Sequence, residues 1–392
     1  MNARTGWPIR AACPVRLGVP WLTGVFFLAV RSGIAIIGTV GLPARYGGFE
    51  TLADELVKSA QAAGASGQFT VYCSARQSGR DRPVTHHGAR LRYLPLGANG
   101  LQSVAYDALS LLDAARRRHD AVLVLGVSGA IALPAVRLLT GLRVIVHVDG
   151  IEWQRPKWRG AARAFLRLSE RIAVRWGHEV IADNVEIARY IRRRYDRDSA
   201  LIAYGSDADA TVAAGDISDL GLPAGYALTI ARIEPENHVA MILEAFAKVP
   251  DQPLVVVGNW HATAHGRDLR ARYAHLPNLH LIDAEYDPAR LRALRRGARF
   301  YVHGHSAGGT NPSLVEMMAY GIPIAAFACA FNRETTHGAA SFFDSARSLR
   351  DLIPALADPR LADGMGADLA ALAHRHYRWS DVTAAYFRLL GM

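Results

Sequence analysis

The stretch HGHSAGGTNPSLVEMMAYG, residues 303–321, has the residue types and spacing to hold a diphosphate. It follows an apolar run over 299–302 and reads as a strand, a glycine-bearing turn and a helix. Asn311 suits the N-cap, Pro312 the first helical turn, where its missing N–H costs nothing, and Gly321 the left-handed position after the last turn. The free N–H groups of that turn, with the flexible Gly308 and Gly309 backbone ahead of them and Thr310 between, would face an anion. Glu316 sits one turn inside, where its carboxylate accepts hydrogen bonds from the vicinal hydroxyls of a ribose. The competing reading is a capping box, with Ser313 as cap and Glu316 three residues on.

Two more groups have comparable chemistry. Arg232 stands at the carboxyl end of an apolar run over 226–231, placed to meet a diphosphate. The run 144–148 leads into DGIEWQRPKW. Strand alternation puts His147 and Asp149 on one face at the carboxyl end, where open α/β sheets bind ligands. Glu152, Trp153, Arg155, Lys157 and Trp158 follow as a charged and aromatic cluster; aromatic faces stack on sugars, and local packing is the alternative.

These residues need elements that deliver them to one place. A β-branched run over 34–37 enters GTVGLPARYGGFETLADEL, read as a first parallel strand, a glycine-rich loop and a helix with Leu52, Leu56 and Val57 on one face. The loop spacing is not G-x-G-x-x-G, so it is no dinucleotide fingerprint. Gly47 and Gly48 let backbone approach a ligand, with Arg45 and Glu50 beside them. Strands are expected over 69–73, 91–94, 121–126, 180–183 and 200–203, and a helix over 104–118. A helix over 161–176 shows an apolar stripe of Phe165, Leu168, Ile172 and Trp176, with Arg163, Arg167, Arg171 and Arg175 lying away from it. A solvated face is the default for those arginines; contact with anionic lipid, at about 1 kcal/mol per basic residue, is the alternative.

A polar stretch over 206–222 reads as a linker, after which the pattern restarts with strands over 226–231, 254–258, 279–282 and 323–327 and a helix over 288–296. Thr335 or Thr336, after AFNRE, would contact phosphate or belong to a capped helix start. The expected segments are an N-terminal extension (1–32), a first domain (33–205), the linker, a second domain (223–376) and a final helix (377–392). Alternating buried strands and amphipathic helices give α/β twice over.

A chain of 392 residues is too long for one ordinary core, and 51% hydrophobic with 20% charged residues excludes a disordered or fibrous class. The net charge of +10 is almost wholly arginine, since Lys58, Lys157 and Lys248 are the only lysines. That balance favours nucleotide diphosphates or an anionic membrane surface. Nucleic acid is set aside, because no zinc spacing, basic recognition helix or RNA-binding aromatic motif occurs. Cys13, Cys73 and Cys329 are odd in number and widely spaced, fitting reduced cytosolic thiols. Arg10 and Arg16 precede an apolar run over 17–30 that is too short to span a bilayer and resembles parts of a signal peptide; an extension or weak membrane contact is expected.

The stretch 303–321 resembles the signature of family 4 retaining glycosyltransferases, in which two Glu residues eight apart flank a small-residue turn. Here Glu316 is the second, and Gly308 occupies the position of the first. GGTNPSLVE with His303 and His305, RIEPEN at 232–237 and IAIIGTVGLPARYGGFETLADELV at 34–57 resemble a sub-group with a rhamnosyltransferase-like N-terminal domain. Many members place a Lys five residues after the Arg, where this chain has Asn237.

The resemblance implies the GT-B architecture: two Rossmann-like domains facing a cleft, with the last helix crossing back to the first. It implies a nucleotide-sugar donor in the second domain and a saccharide or lipid-linked acceptor in the first, with no metal or other cofactor, in surface polysaccharide synthesis at the cytosolic membrane face. Arg232 would stabilise leaving-group charge and Asp149 or His147 stand near the reacting sugar. Glu316, Gly308, Gly309, Thr310, Asn311, Asn237 and His305 would contact the donor, and Gly47, Gly48, Arg45, Glu50, Glu152 and Trp153 line the acceptor side. The alternatives are a non-catalytic sugar-nucleotide-binding protein, an epimerase on the same architecture, or a phosphorylase, which the scarcity of lysines disfavours.

Overall fold

Apolar, β-branched runs at regular intervals build two sheets. The computed structural model describes residues 33–44, 47–155, 158–206 and 212–392, so the expectations for 1–32, Arg45, Lys157 and residues 207–211 of the linker lie outside the described residues. The first sheet contains β1 (Ile34–Ile37), β2 (Phe69–Ser74), β3 (Thr85–His86), β4 (Ala89–Leu94), β5 (Ala121–Leu125), β6 (Arg143–Val148), β7 (Glu179–Ala182) and β8 (Ala200–Leu201). Their order is β3-β4-β2-β1-β5-β6-β7-β8, parallel except for the β3–β4 hairpin. The second contains β9 (Tyr226–Ile230), β10 (Leu254–Gly258), β11 (Leu279–Asp283), β12 (Ala298–His303), β13 (Ile324–Phe327) and β14 (Ser341–Phe343), in the all-parallel order β11-β10-β9-β12-β13-β14.

Strand order reverses direction between β1 and β5 and again between β9 and β12. At such points helices depart to opposite faces, and a crevice opens beyond the carboxyl ends of the strands. Both crevices belong to one compact unit over 32–392. Strands β1, β5 and β10 are buried along their whole length, which is why they read as unbroken apolar runs rather than alternating ones.

One face of the first sheet is covered by the helix Gly48–Ala62, through the expected Leu52, Leu56 and Val57, and by the last helix, Trp379–Leu390, whose Phe387 ring lies 6.2 Å from that of Phe69. The opposite face is covered by the helices Ser103–Arg116, Leu133–Leu139, Gly160–Trp176 and Val185–Tyr195. The helix Gly160–Trp176 departs from its expected stripe. Leu166, Ala173 and Val174 are buried together with Ser169 and Glu170, while Leu168 is half exposed. The stripe is displaced because a carboxylate sits in the seam, accepting from Tyr190 Oη at 2.5 Å, Tyr195 Oη at 2.6 Å and Trp153 Nε1 at 3.3 Å. Hydrophobic spacing does not anticipate a buried Glu whose donors come from distant helices. The four arginines face outward, as expected.

Cys73 and Cys329 are free thiols. Among the described residues no helix is long and apolar enough to cross a membrane.

Candidate functional site

The carboxyl ends of β9 and β12 bring Arg232 and the turn after His303 to one crevice. Asn237 is buried and donates its Nδ2–H to the Arg232 carbonyl at 2.8 Å. Its amide therefore shapes the RIEPEN turn, a different role from the donor contact expected of it. The Arg232 side chain is 45% exposed, with Glu234 3.9 Å away as a distant partner. Its charge bears on Glu50, Asp149 and His305, which locates the guanidinium between the two lobes.

His303 is fully buried, and neither ring nitrogen has a hydrogen-bond partner among the described residues. Its ring stacks on His305 with centroids 4.4 Å apart. Burial holds both neutral: His303 falls well below the usual histidine range, and His305 falls to about 3, helped by the positive charges of Arg232 and Arg155. The pair presents neutral dipoles beside the cationic Arg232.

Asn311 caps the helix Pro312–Ala319, accepting from the Ser313 N–H at 3.3 Å and the Ser313 hydroxyl at 2.9 Å. Ser313 is thus not the cap, and the capping-box reading of Glu316 gives way. The Glu316 carboxylate instead accepts from Arg295 Nη2 at 2.5 Å. Arg295 belongs to the helix Pro288–Gly297 and is 9% exposed, a partner that sequence reasoning missed because its neighbours Arg292 and Arg296 make that helix look solvated. Gly321 takes the left-handed conformation foreseen for it, φ +67°.

Across the cleft, the N-terminus of the helix Gly48–Ala62 meets that of Pro312–Ala319. A Cβ added to Gly48 would lie 3.1 Å from Pro312 Cγ, so the two helix ends approach closely here. The positive ends of two helix dipoles therefore face one region. Glu50 turns back to accept from the Val40 N–H at 2.6 Å and ties down the glycine loop, with Gly47 against its carboxylate. Burial raises the Glu50 pKa.

The loop after β6 carries Asp149 to the same region. Burial raises its pKa, with Glu152 adding to the rise and Arg155, Arg232 and the Gly309 N–H opposing it. His147 is different. It lies buried behind, its Nδ1 3.0 Å from Tyr386 Oη and its ring edge-on to Phe49, and burial lowers its pKa to about 3. The structure leaves Asp149 at the cleft and commits His147 to packing against the returning C-terminal helix.

Gly308, Gly309 and Thr310 also hold the lobes together. A Cβ on Gly150 would lie 2.9 Å from Gly308 Cα, and one on Gly309 would lie 1.9 Å from Asp183 Oδ1. Thr310 donates its N–H to Asp183 Oδ2 at 3.0 Å and its hydroxyl to the Asp183 carbonyl at 2.5 Å. Asp183 was not among the expected residues, although it follows β7 at the same edge where Asp149 follows β6. Burial, then the proximity of Asp149, raises its pKa well above the usual carboxylate range. Arg155 links the lobes as well, pairing with Glu152 at 2.7 Å and lying 3.8 Å from Glu236.

Three expectations are redirected by neighbours. Trp153 is engaged by its neighbours: Arg163, Arg167 and Arg194 lie 5.4, 5.4 and 5.7 Å from its ring centroid, and its N–H goes to Glu170. Glu152 accepts from Trp158 Nε1 at 2.8 Å as well as pairing with Arg155. Thr335 and Thr336 are buried; Thr335 Oγ1 accepts from Asn184 at 3.3 Å, and Thr336 donates to the Asn332 carbonyl at 2.8 Å. Neither threonine is turned toward a phosphate.

A cavity of about 590 Å³ opens at the β1/β5 crevice, lined by Phe49, Val104, Leu125, Phe165 and Leu166 among apolar groups and by Asp107, Asp149 and Glu152 among charged ones. Asp107 is 6% exposed, and no hydrogen-bond partner meets it among the described residues. No Lys, Arg or His appears among the described residues lining this cavity.

A family model described as a domain of unknown function (DUF1972) matches residues 31–207, and one described as glycosyl transferases group 1 matches residues 220–345. No curated protein matches the chain. Among solved structures, sucrose-phosphate synthase from Thermosynechococcus elongatus has a TM-score of 0.76 at 17% identity, covering 92% of this chain and 98% of that one. A glycosyltransferase from Rickettsia africae gives 0.67 at 13% identity over 92% and 98% of the two chains. HepE from Anabaena, in complex with UDP-glucose, gives 0.70 at 13% identity over 91% and 98%.

Proposed function

We propose that this chain, a glycosyltransferase of GT-B architecture, is a retaining, metal-independent member of family 4 that moves a sugar from a nucleotide diphosphate donor to a saccharide acceptor. The observation that carries the reading is the convergence of Arg232 with two helix N-termini between the lobes. Fixed positive potential at that point stabilises a departing diphosphate without reorganisation during the reaction. Glu316, oriented by Arg295, accepts the ribose hydroxyls. Asp149 stands at the reacting sugar, and the departing phosphate oxygen takes the acceptor proton, giving same-face attack and retention. HepE, whose fold this chain shares, was solved with UDP-glucose, which supports a nucleotide-sugar donor. Rhamnose as the transferred sugar, and a role in surface polysaccharide assembly, rest on the resemblance of the first lobe.

Thermal shifts across UDP-, GDP- and dTDP-sugars test the donor site. One nucleotide sugar is expected to stabilise the protein by about 3 kcal/mol near 100 Kd. That shift is expected to vanish in Glu316→Ala; equal shifts in both proteins would remove Glu316 from the site.

The acceptor is assigned to the first-lobe cavity, whose size suits a small ligand. With carboxylates and no cation among its described lining residues, it favours the uncharged hydroxyls of a saccharide and leaves any phosphate of a lipid carrier outside. Two of the helices that wall it, Ser103–Arg116 and Gly160–Trp176, lie on the same sheet face as Leu133–Leu139. Together they expose Leu109, Leu112, Leu138, Leu139 and Leu168, with Leu138 and Leu139 at 73% and 82%. Exposed leucines beside Arg116, Arg171 and Arg175 fit the surface of an anionic bilayer. Sedimentation with phosphatidylglycerol vesicles should pellet the wild type and lose about tenfold in affinity for Leu138→Glu with Leu139→Glu. Equal pelleting with pure phosphatidylcholine, or by the double variant, would count against this surface.

A further inference from the structure

We propose that Asp54, His86 and His87 form a binding site for one divalent transition-metal ion of the zinc class, outside the cleft at the edge of the first sheet. One ligand atom from each of the three residues lies within 4.8 Å of the others. Asp54 comes from the helix Gly48–Ala62, and the histidines come from the turn of the β3–β4 hairpin, so two separate elements supply the set.

The backbone is arranged to bring both imidazoles to the same side. Successive residues of a strand point to opposite faces, and a regular continuation of β3 would separate the rings. Instead β3 ends at His86, and the turn passes through His87 at φ +45° and Gly88 at φ +76°. The two rings end with centroids 4.3 Å apart. A two-residue hairpin turn with positive φ at both positions normally takes Asn or Asp followed by Gly. Gly88 meets that rule, since a Cβ there would lie 2.3 Å from Ser66 Oγ. His87 stands where Asn or Asp is usual, and histidine also enters the left-handed region, as His238 and His337 do in this chain.

Hydrogen bonding accounts for part of the cluster. His86 Nε2 lies 2.6 Å from Asp54 Oδ1, and His87 Nδ1 lies 3.0 Å from Gln61 Oε1. The His–Asp and His–Gln pairs account for these contacts two by two, but not for the convergence of three ligand atoms on one point. A metal ion explains all three. Asp54 and Gln61 are two turns apart on one helix face, so Gln61 orients the second imidazole as Asp54 supplies the carboxylate. All three ligands are half-buried, which leaves open positions for water. Two imidazoles and one carboxylate select zinc, nickel, cobalt or copper over magnesium and calcium, which prefer oxygen alone.

A bound ion would pin the hairpin at the sheet edge to the helix whose other end carries Gly48 and Glu50 at the cleft. The site is independent of the donor and acceptor assignments above.

The test is calorimetric titration of the full-length, chelator-treated protein with zinc chloride alone, with magnesium chloride as control, and a cobalt absorption spectrum. Wild type is expected to bind one equivalent of zinc saturably and to gain melting temperature on binding. Asp54→Asn and His87→Asn should each weaken zinc at least about tenfold, since loss of a direct ligand should cost no less than loss of its supporting partner. Asn is the residue the left-handed turn prefers, so His87→Asn keeps the hairpin, and an unchanged metal-free melting temperature confirms it. Absence of saturable binding, or zinc affinity and thermal gain in His87→Asn and Asp54→Asn equal to wild type, would overturn the site. Binding of magnesium as tight as zinc would overturn the assigned metal class.

Discussion

Arg232→Ala is expected to lower kcat/KM by about 10²–10³, equivalent to roughly 2.7–4 kcal/mol of transition-state stabilisation, with most of the loss in kcat. The guanidinium is 45% exposed and only loosely associated with Glu234, and what its removal takes from the buried Glu50 and Asp149 is a charge that opposes the burial-driven rise of their pKa values. The fold should be unaffected, and the melting temperature should stay at the wild-type value. In the ground state the diphosphate charge is shared with the sugar bond, whereas in the transition state it grows on the bridging oxygen. A fixed cation at that oxygen therefore acts mainly on the barrier. Initial rates against the donor identified by thermal shift measure the effect. Turnover at the wild-type rate, or a loss confined to KM, would remove Arg232 from the leaving-group site.

The second large effect belongs to a residue with no side chain. Gly309→Ala places a Cβ 1.9 Å from Asp183 Oδ1 and 2.4 Å from its Cγ and Oδ2, so the whole carboxylate stands in its way. Either the Asp183 side chain moves and surrenders its bond from the Thr310 N–H, or the 308–310 turn withdraws from the first lobe. Destabilisation of about 1–3 kcal/mol is expected from overpacking. The accompanying displacement of the donor turn should cost about 10² in kcat, since a shift of 1 Å in a positioned reactant has that effect. Calorimetry and steady-state rates read the two separately. Gly308→Ala is a useful comparison: open space surrounds its Cβ, but φ is +111°, so it tests backbone strain without the collision. Wild-type stability and rate in Gly309→Ala would show that the turn and Asp183 are not held against each other.

The strands were legible because parallel sheets covered on both faces demand unbroken apolar runs, and β1, β5 and β10 have them. The short edge strands β3 and β14 lack that signal. The helices Val185–Tyr195 and Pro359–His376 were missed beneath dense charge and polar residues. At the site, Asn311, Gly321 and the position of Arg232 follow from local rules that depend on a few neighbouring residues. Trp153, Thr335 and Asn237 have the right types for a ligand, but distant elements claim their polar atoms or their faces. Arg295 and Asp183 were hidden for the converse reason: each acquires meaning from a residue far along the chain. The adjacent His86 and His87 were visible all along. Their approach to Asp54 was not, because it depends on a left-handed turn and on the docking of a helix.

The contact between Tyr386 and His147 has a bearing on biosynthesis. The first sheet is complete in sequence by residue 201, yet one of its faces is covered by the helix Trp379–Leu390. During translation the first lobe therefore emerges early, with its Phe69 face and His147 pocket lacking their final cover until residues 379–390 have been made. The first lobe is begun first and finished last. The second lobe, by contrast, builds its sheet from residues 226–343, in a single uninterrupted span. The order of synthesis and the order of completion run in opposite directions, and the nascent first lobe must carry an open apolar face throughout the time the second is made.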